Sequence, residues 1–115
     1  MINFEGLLGL DMAGNYDERR VDQYDGGDLA VSTAAVTDGK LPFETAISHK
    51  LYNKGKWIIV DAYTTKEQAQ EGHNRWVKKM TAKTLPLALK DGANSKIGQV
   101  MKDAGGVTVF ERGKG

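Results

Sequence analysis

Residues 57–80, WIIVDAYTTKEQAQEGHNRWVKKM, decide the fold of this chain. The first seven are dominated by aromatic and β-branched side chains, which predicts a strand over 57–63. Two threonines follow, and each can begin a helix through a capping box. The two possible boxes are Thr64 with Glu67 and Thr65 with Gln68.

Helical periodicity follows the threonines and predicts one main amphipathic helix over about 65–82. Its apolar stripe consists of Ala69, Gly72, His73, Trp76, Val77 and Met80. Glycine weakens a helix, so we expect Gly72 to mark a close approach of the helix to a sheet. Basic residues gather toward the C-terminal end, where the helix dipole favours cations.

Three upstream segments, 17–24, 29–37 and 41–49, predict strands that pair with 57–63. The Asp38-Gly39 pair indicates a two-residue hairpin between the second and third segments. Pro42 cannot donate to a ladder, so we expect it at the start of its strand or on an edge. Residues 51–56 form the next hairpin loop, in which Gly55 suits a left-handed position.

Side-chain alternation assigns the two faces of the last hairpin, if it closes around residues 53 and 54. The predicted core face carries Phe43, Ile47, Ile58 and Val60. The predicted outer face carries Glu44, Ser48, Trp57, Asp61 and Tyr63.

The C-terminal region predicts shorter elements. Residues 84–90 suggest a helical turn, residues 94–104 a second helix, and residues 107–111 a final strand that can join a sheet edge. The predicted fold class is therefore α+β. An antiparallel sheet of about four to five hairpin strands is covered by the main helix, with one or two short C-terminal helices and the final strand. We expect an N-terminal arm over 1–16, one domain over 17–111 and a loose tail over 112–115.

Composition bounds the function. A chain of 115 residues with 40% hydrophobic and 27% charged residues is typical of one globular domain. The absence of cysteine excludes disulfides, thiolate zinc sites and cysteine nucleophiles. We predict no signal peptide, because the apolar N-terminal residues lack a basic region, and no membrane span.

The net charge of +1 hides an asymmetry. Residues 1–48 carry −6 and residues 49–115 carry +7. The charges either interleave on one folded surface, which we favour, or form a bipolar molecule whose ends attract neighbouring copies. We do not expect nucleic acid as a partner, because nucleic-acid binders are more often basic overall.

Chemistry-bearing residues are sparse. His49 and His73, with Glu44 or Asp61, are the plausible constellation for acid–base catalysis or a metal site. We favour the alternative of a buried His73 that is hydrogen-bonded to a strand and a solvated His49, because no motif of known mechanism surrounds them. We therefore predict no catalytic residue, no cofactor and no metal.

Partner contacts are predicted on three surfaces. Aromatic side chains near the hairpin suggest a binding patch, with cross-strand packing as an equal alternative. The basic helix end can touch a partner, although such clusters are more often solvated. The candidate contacts are Phe4, Leu7 and Leu8 of the arm, Tyr52, Trp57 and Tyr63 of the hairpin, and Arg75, Lys78 and Lys79 of the helix.

A resemblance covers roughly residues 17–82. The run FETA at 43–46, the run YTTKEQAQEGH at 63–73, and the pair Trp76-Val77 resemble a signature of small proteins from tailed bacteriophages and prophages. That signature reads "ETA or ETM, strand, Y-x-T-x-E-E-A-x-x-G-H-x-x-W/M-V". The genes of these phage proteins often lie near head and tail genes. The resemblance implies a phage origin and a virion component. It implies no catalytic residue.

We therefore expect a non-enzymatic phage structural or assembly protein, such as a head–tail connector, adaptor or decoration subunit. Its partners would be other virion proteins and itself, as a homo-oligomer in the virion or in the host cytoplasm during infection. The alternative is a small intracellular binding protein that sequesters a host defence protein or a nucleotide signal. An enzyme that uses His73 with Glu44 or Asp61 ranks last.

Overall fold

A computed structural model describes residues 19–37, 39–91 and 108–113. Its elements are β1 (Arg20–Asp25), β2 (Leu29–Ala35), β3 (Phe43–His49), a 3-10 turn (Asn53–Gly55), β4 (Ile58–Tyr63), α1 (Lys66–Met80), β5 (Ala88–Lys90) and β6 (Val109–Glu111). The predicted α+β class is confirmed. The predicted arm at 1–16 and the predicted helix at 94–104 lie outside the described residues.

Four strands form the main sheet in the order β1-β2-β3-β4, and all neighbours are antiparallel. The central pair runs in unbroken register from Leu29 opposite His49 to Ala35 opposite Phe43. Small and β-branched side chains suit this position, because the strand centres are buried on both faces. The predicted run of sequential hairpins is thus confirmed.

The connection between β2 and β3 is longer than predicted. The strands stop at Ala35 and Phe43, so the two-residue hairpin at Asp38-Gly39 is wrong, with Asp38 itself outside the described residues. Pro42 has no N–H to donate and precedes β3, as expected, while its carbonyl accepts from the Val36 amide at 2.9 Å. The ladder therefore opens after Ala35, and residues 36–37 and 39–42 belong to the connection.

A β-bulge reverses part of the predicted face assignment. Ile47 pairs with Ile58, but Thr45 pairs with Asp61, so β4 holds one extra residue. The extra residue shifts the alternation of the strand, and Asp61 and Tyr63 consequently face the helix. Their predicted place on the outer face is wrong.

Helix α1 begins and packs as predicted. The Thr65 hydroxyl accepts from the Gln68 amide at 3.1 Å, and the Gln68 side chain completes the capping box. The predicted stripe faces the sheet, with Ala69, Gly72, His73 and Met80 buried and Trp76 and Val77 half-buried. A Cβ at Gly72 would overlap the Tyr63 ring, which confirms the close approach.

The main core lies between α1 and the sheet. Its buried members are Leu29, Val31, Ile47, Tyr52, Ile58, Met80 and Leu89. No helix among the described residues has the length and apolar character that crossing a membrane requires.

The C-terminal region departs from the prediction. Ala88–Lys90 is a strand rather than part of a helical turn, and it pairs with Val109–Glu111 in a second antiparallel sheet. The predicted final strand therefore exists but joins β5 instead of the main sheet. Leu89 is buried opposite Phe110, which packs against the core. Residues 88–90 therefore form a strand because they pair with a segment that is distant in sequence and bury Leu89.

Two tail residues are hydrogen-bonded rather than loose. The Arg112 amide donates to the Leu87 carbonyl at 2.8 Å, and the Gly113 amide donates to the Leu51 carbonyl at 2.6 Å. These bonds tie the end of β6 to the β3–β4 connection and to the residue before β5. Residues 114–115 lie outside the described part of the chain.

Substitution Gly72→Ala tests the close approach of helix and sheet. Alanine is better than glycine in a helix by about 1 kcal/mol. We nevertheless expect a net loss of about 1–3 kcal/mol in the free energy of unfolding, because the new methyl group meets Tyr63. Urea unfolding measures the change. The matched control is the exposed neighbour Glu71→Ala, and a stabilised Gly72→Ala variant would contradict the predicted contact.

Candidate functional site

A chain of buried polar side chains crosses the interface between α1 and the sheet. His73 Nδ1 lies 2.8 Å from Thr33 Oγ1, and Thr33 Oγ1 lies 2.6 Å from Thr45 Oγ1. The hydroxyl of Tyr63 continues the chain at 3.0 Å from Thr45 Oγ1. Thr33 and Thr45 are directly opposed on β2 and β3, and Gly72 lets the Tyr63 ring fit under the helix. We call these four side chains the polar network.

Asp22 on β1 lies at the open end of the polar network. Its Oδ2 is 3.8 Å from His73 Nε2, and the His73 side chain is 3% exposed while that of Asp22 is 46% exposed. Asp22 accepts hydrogen bonds from the side-chain amide of Gln70 at 2.9 Å and from the amide of Gln23 at 2.8 Å. The carboxylate is therefore held in place beside a buried imidazole.

Burial and charge set the protonation of this pair. Burial lowers the pKa of His73 against the opposing effect of the Asp22 charge, so the imidazole is neutral at pH 7. The hydrogen bond from Gln70 lowers the pKa of Asp22 despite partial burial, and the carboxylate is therefore ionised. At the other end, burial raises the pKa of Tyr63 to about 12.

The carboxylate beside His73 is not one that the sequence suggested. Glu44 lies on the opposite face of β3, because Thr45 next to it faces the helix. Asp61 faces the helix but accepts from the indole N–H of Trp76 at 3.3 Å. Asp22 could have been found only through the pairing of β1 with β2, which sets it opposite Thr33 beside a bulge.

The two histidines have different outcomes. The predicted buried His73 with a hydrogen bond to a strand is confirmed. The predicted solvated His49 is wrong, since it is buried, and its Nδ1 accepts from the Leu51 amide at 3.0 Å. Its ring also meets Tyr52 edge-on, with the centroids 5.5 Å apart. Burial lowers the pKa of His49.

The aromatic hairpin residues do not form one exposed patch. Tyr52 is fully buried and donates its hydroxyl proton to the Pro86 carbonyl, and Tyr63 is buried in the polar network. Of the two alternatives for these tyrosines, packing is the one that the structure shows, because both rings are buried. Trp57 is half-buried beside Ala34 and Ala46 on the sheet face away from α1, and its role as a partner contact stays a prediction.

The basic residues predicted to contact a partner are on the surface. Arg75, Lys78 and Lys79 are exposed on α1, and the Lys79 ammonium lies 4.4 Å from the centre of the Trp76 ring. Their contact with a partner stays a prediction. Phe4, Leu7 and Leu8 lie outside the described residues.

An open pocket of about 350 Å³ adjoins the polar network. His73 and Asp22 contribute polar groups, and Val77 and Tyr24 add apolar surface. The full lining is Asp22, Gln23, Tyr24, His73, Asn74, Val77 and Lys78. Within 19–37, 39–91 and 108–113, no group of three histidine or carboxylate side chains is placed to hold a metal ion.

Comparison with known proteins found no matching protein family, no matching curated protein and no matching solved structure. The resemblance to phage proteins therefore stays a prediction.

Replacing the buried hydroxyls tests whether the polar network stabilises the fold. We expect Thr33→Val to lower the free energy of unfolding by about 1–3 kcal/mol, because His73 Nδ1 and Thr45 lose a partner. Thermal unfolding measures the loss of stability, and the exposed Thr64→Val is the matched control. A neutral or stabilising Thr33→Val would show that the network contributes nothing to stability.

The lowered pKa values of the two histidines predict that the stability of the fold depends on pH. The folded-state pKa of His73 lies below 6.5, so the unfolded chain binds more protons as the pH falls through 6.5. We expect stability to fall in that range and to level off below the folded-state pKa. His49 acts in the same direction.

Urea unfolding between pH 5 and 8 measures this dependence, with His73→Gln and His49→Gln as comparisons. Each variant should flatten part of the slope. An unchanged slope in both would contradict the assignment.

Proposed function

We propose that this protein is a non-enzymatic bacteriophage structural or assembly protein that acts through protein–protein contacts. A head–tail connector, adaptor or decoration subunit fits this role. The supporting observation is a division between interior and surface. His73, Thr33, Thr45 and Tyr63 bond to one another inside. Leu87 and Val109, at the small second sheet, are exposed to solvent.

The polar network supports a role without catalysis. Thr33 and Thr45 are fully buried, and each hydroxyl already has two partners within 3.0 Å. A nucleophile needs an adjacent base and an open path to the substrate. Neither hydroxyl has such a path, and His73 Nδ1 is occupied by Thr33, so the network favours a packing role.

Two exposed apolar side chains at the second sheet support a role in protein–protein contacts. Among the described residues, the large hydrophobic side chains that are exposed are Leu87, at 77%, and Val109, at 47%. Leu87 directly precedes β5, and Val109 lies on β6 opposite Lys90. Burial of either apolar side chain against a partner would be favourable.

The charge asymmetry supports self-association as well as contact with other virion proteins. The first 48 residues carry −6 and the remainder +7, so an acidic region of one copy can attract a basic region of the next. A heterologous contact of this kind builds rings or filaments, the symmetries of connectors and tails.

The alternative is a small phage-encoded protein of the infected cell that sequesters a host defence protein or a nucleotide signal. The pocket beside Asp22 and His73 is the observation that favours it. Such a protein would be absent from purified particles and would bind its target as a soluble complex.

Mass spectrometry of purified phage particles tests the proposal, together with sedimentation of the purified chain. We expect the protein in particles and a concentration-dependent oligomer. The double variant Leu87→Glu/Val109→Glu should weaken assembly at least about tenfold, because it puts charge into an apolar contact. Thr37→Glu, exposed in the β2–β3 loop, is the matched control. A strict monomer absent from particles would contradict the proposal.

A further inference from the structure

The face of the main sheet that points away from α1 is buried, like the face beneath the helix. Side chains alternate between the two faces along each strand, so every second residue of β2 and β3 belongs to this face. Its members on these two central strands, which we call the distal face, are Ala30, Ser32, Ala34, Glu44, Ala46 and Ser48. The first five are at most 3% exposed, and Ser48 is half-buried.

None of the described helices and strands lies over the distal face. The elements outside the main sheet are α1, β5 and β6. They contribute Met80, Leu89 and Phe110 to the core on the opposite face of the sheet. The burial of the distal face therefore has another source.

Small side chains on neighbouring strands cannot shield one another from water, because they stand roughly perpendicular to the sheet. Ser32 and Ala46 are directly opposed, and both are fully buried. The next residue in this row is Gln23 of the edge strand β1 on one side and Ile59 of β4 on the other, and each is only half-buried. A further layer of the chain must therefore cover the distal face.

Two stretches outside the described residues are long enough to form such a layer, namely 1–18 and 92–107. The second stretch leaves and returns beside the other face. The Asp91 amide donates to the Thr108 carbonyl at 2.9 Å, and the adjoining strands place Leu89 and Phe110 in the core under α1. Residues 92–107 would have to pass around the sheet edge twice to reach the distal face.

Residues 1–18 lead directly into the distal face. Arg20 at the start of β1 is opposite Ala34 and therefore lies on this face. The Nη1 atom of Arg19, the residue that follows the stretch, is buried and has no hydrogen-bond partner among the described residues. The chain is thus covered at the point where residues 1–18 join the sheet.

The reach and the side chains of residues 1–18 also suit this face. Eighteen extended residues span about 60 Å, whereas four strands spaced by about 4.8 Å make a sheet about 15 Å wide. Layers pack densely where large side chains oppose small ones. The large apolar side chains of the stretch are Phe4, Leu7, Leu8 and Leu10, and the distal face opposes them with alanine and serine.

We propose that residues 1–18 pack across the distal face of their own chain, with the apolar side chains of residues 4–10 against Ala30, Ala34 and Ala46. The inference goes beyond the proposed function, because a monomer absent from phage particles would show the same contact. It also limits the partner contacts predicted for the arm. Phe4, Leu7 and Leu8 can reach a partner only when the arm leaves the sheet.

The test is NMR spectroscopy of the unmodified full chain with labelled alanine, leucine, isoleucine and methionine methyl groups. We expect nuclear Overhauser effects between the methyl groups of Leu7 or Leu8 and those of the distal alanines. If these alanines instead contact Ile97 or Met101, residues 92–107 form the layer and the inference is wrong. A mixture of chains labelled separately in leucine and in alanine should show no such effect. An effect in the mixture would overturn the placement within one chain.

A soluble paramagnetic agent measures the exposure of the same methyl groups. In the unmodified chain, the methyl groups of Ala30, Ala34 and Ala46 should relax as slowly as that of the buried Ala69. The variant Leu7→Ser/Leu8→Ser should raise their relaxation toward the rate of the exposed Ala82 methyl group and leave Ala69 unchanged.

The matched control for this measurement is Val100→Ser/Met101→Ser, which should leave the distal methyl groups protected. Protection that persists in a folded leucine variant, or that is lost in a folded control variant, would overturn the inference. If the leucine variant unfolds and exposes Ala69 as well, the Overhauser effects in the unmodified chain decide.

Discussion

The structure depends on the contact between Gly72 of the helix and the Tyr63 ring of the last main strand. A glycine at this position allows the helix to come close enough for the tyrosine to lie beneath it. That distance in turn lets His73, one residue later, reach the Thr33 hydroxyl. A larger side chain would separate the two layers and break the buried hydrogen bonds, whose groups would then lack both partner and water.

The hydrogen bonds of the polar network restrict how the helix and the strands can be arranged in the interior. Apolar residues in a core tolerate many arrangements, whereas buried hydroxyls and an imidazole accept only geometries that satisfy them. Thr33, Thr45 and Tyr63 belong to three successive strands, so their hydrogen bonds hold the register of the sheet under the helix. The proposed interaction role uses what remains outside, namely the exposed Leu87 and Val109 and the basic end of the helix.

Much of the fold could be predicted because its signals are local. Spacing along one segment predicts three features of the main helix. They are the capping box at Thr65, the apolar stripe from Ala69 to Met80, and the close helix–sheet contact at Gly72. The errors share a different cause. The bulge at β4 and the pairing of β5 with β6 join residues that are distant in sequence, and a single extra residue reverses the face of every side chain beyond it.

The sequence by itself determined the α+β class, the position of the main helix and the burial of His73, because periodicity and composition encode which face of an element avoids water. Only the tertiary structure decided that Asp22 rather than Glu44 or Asp61 stands beside His73, that Tyr52 and Tyr63 lie inside, and that the last strand forms a second sheet. These outcomes depend on register between separate strands. Register is set by the summed packing of many side chains and cannot be read from any one stretch.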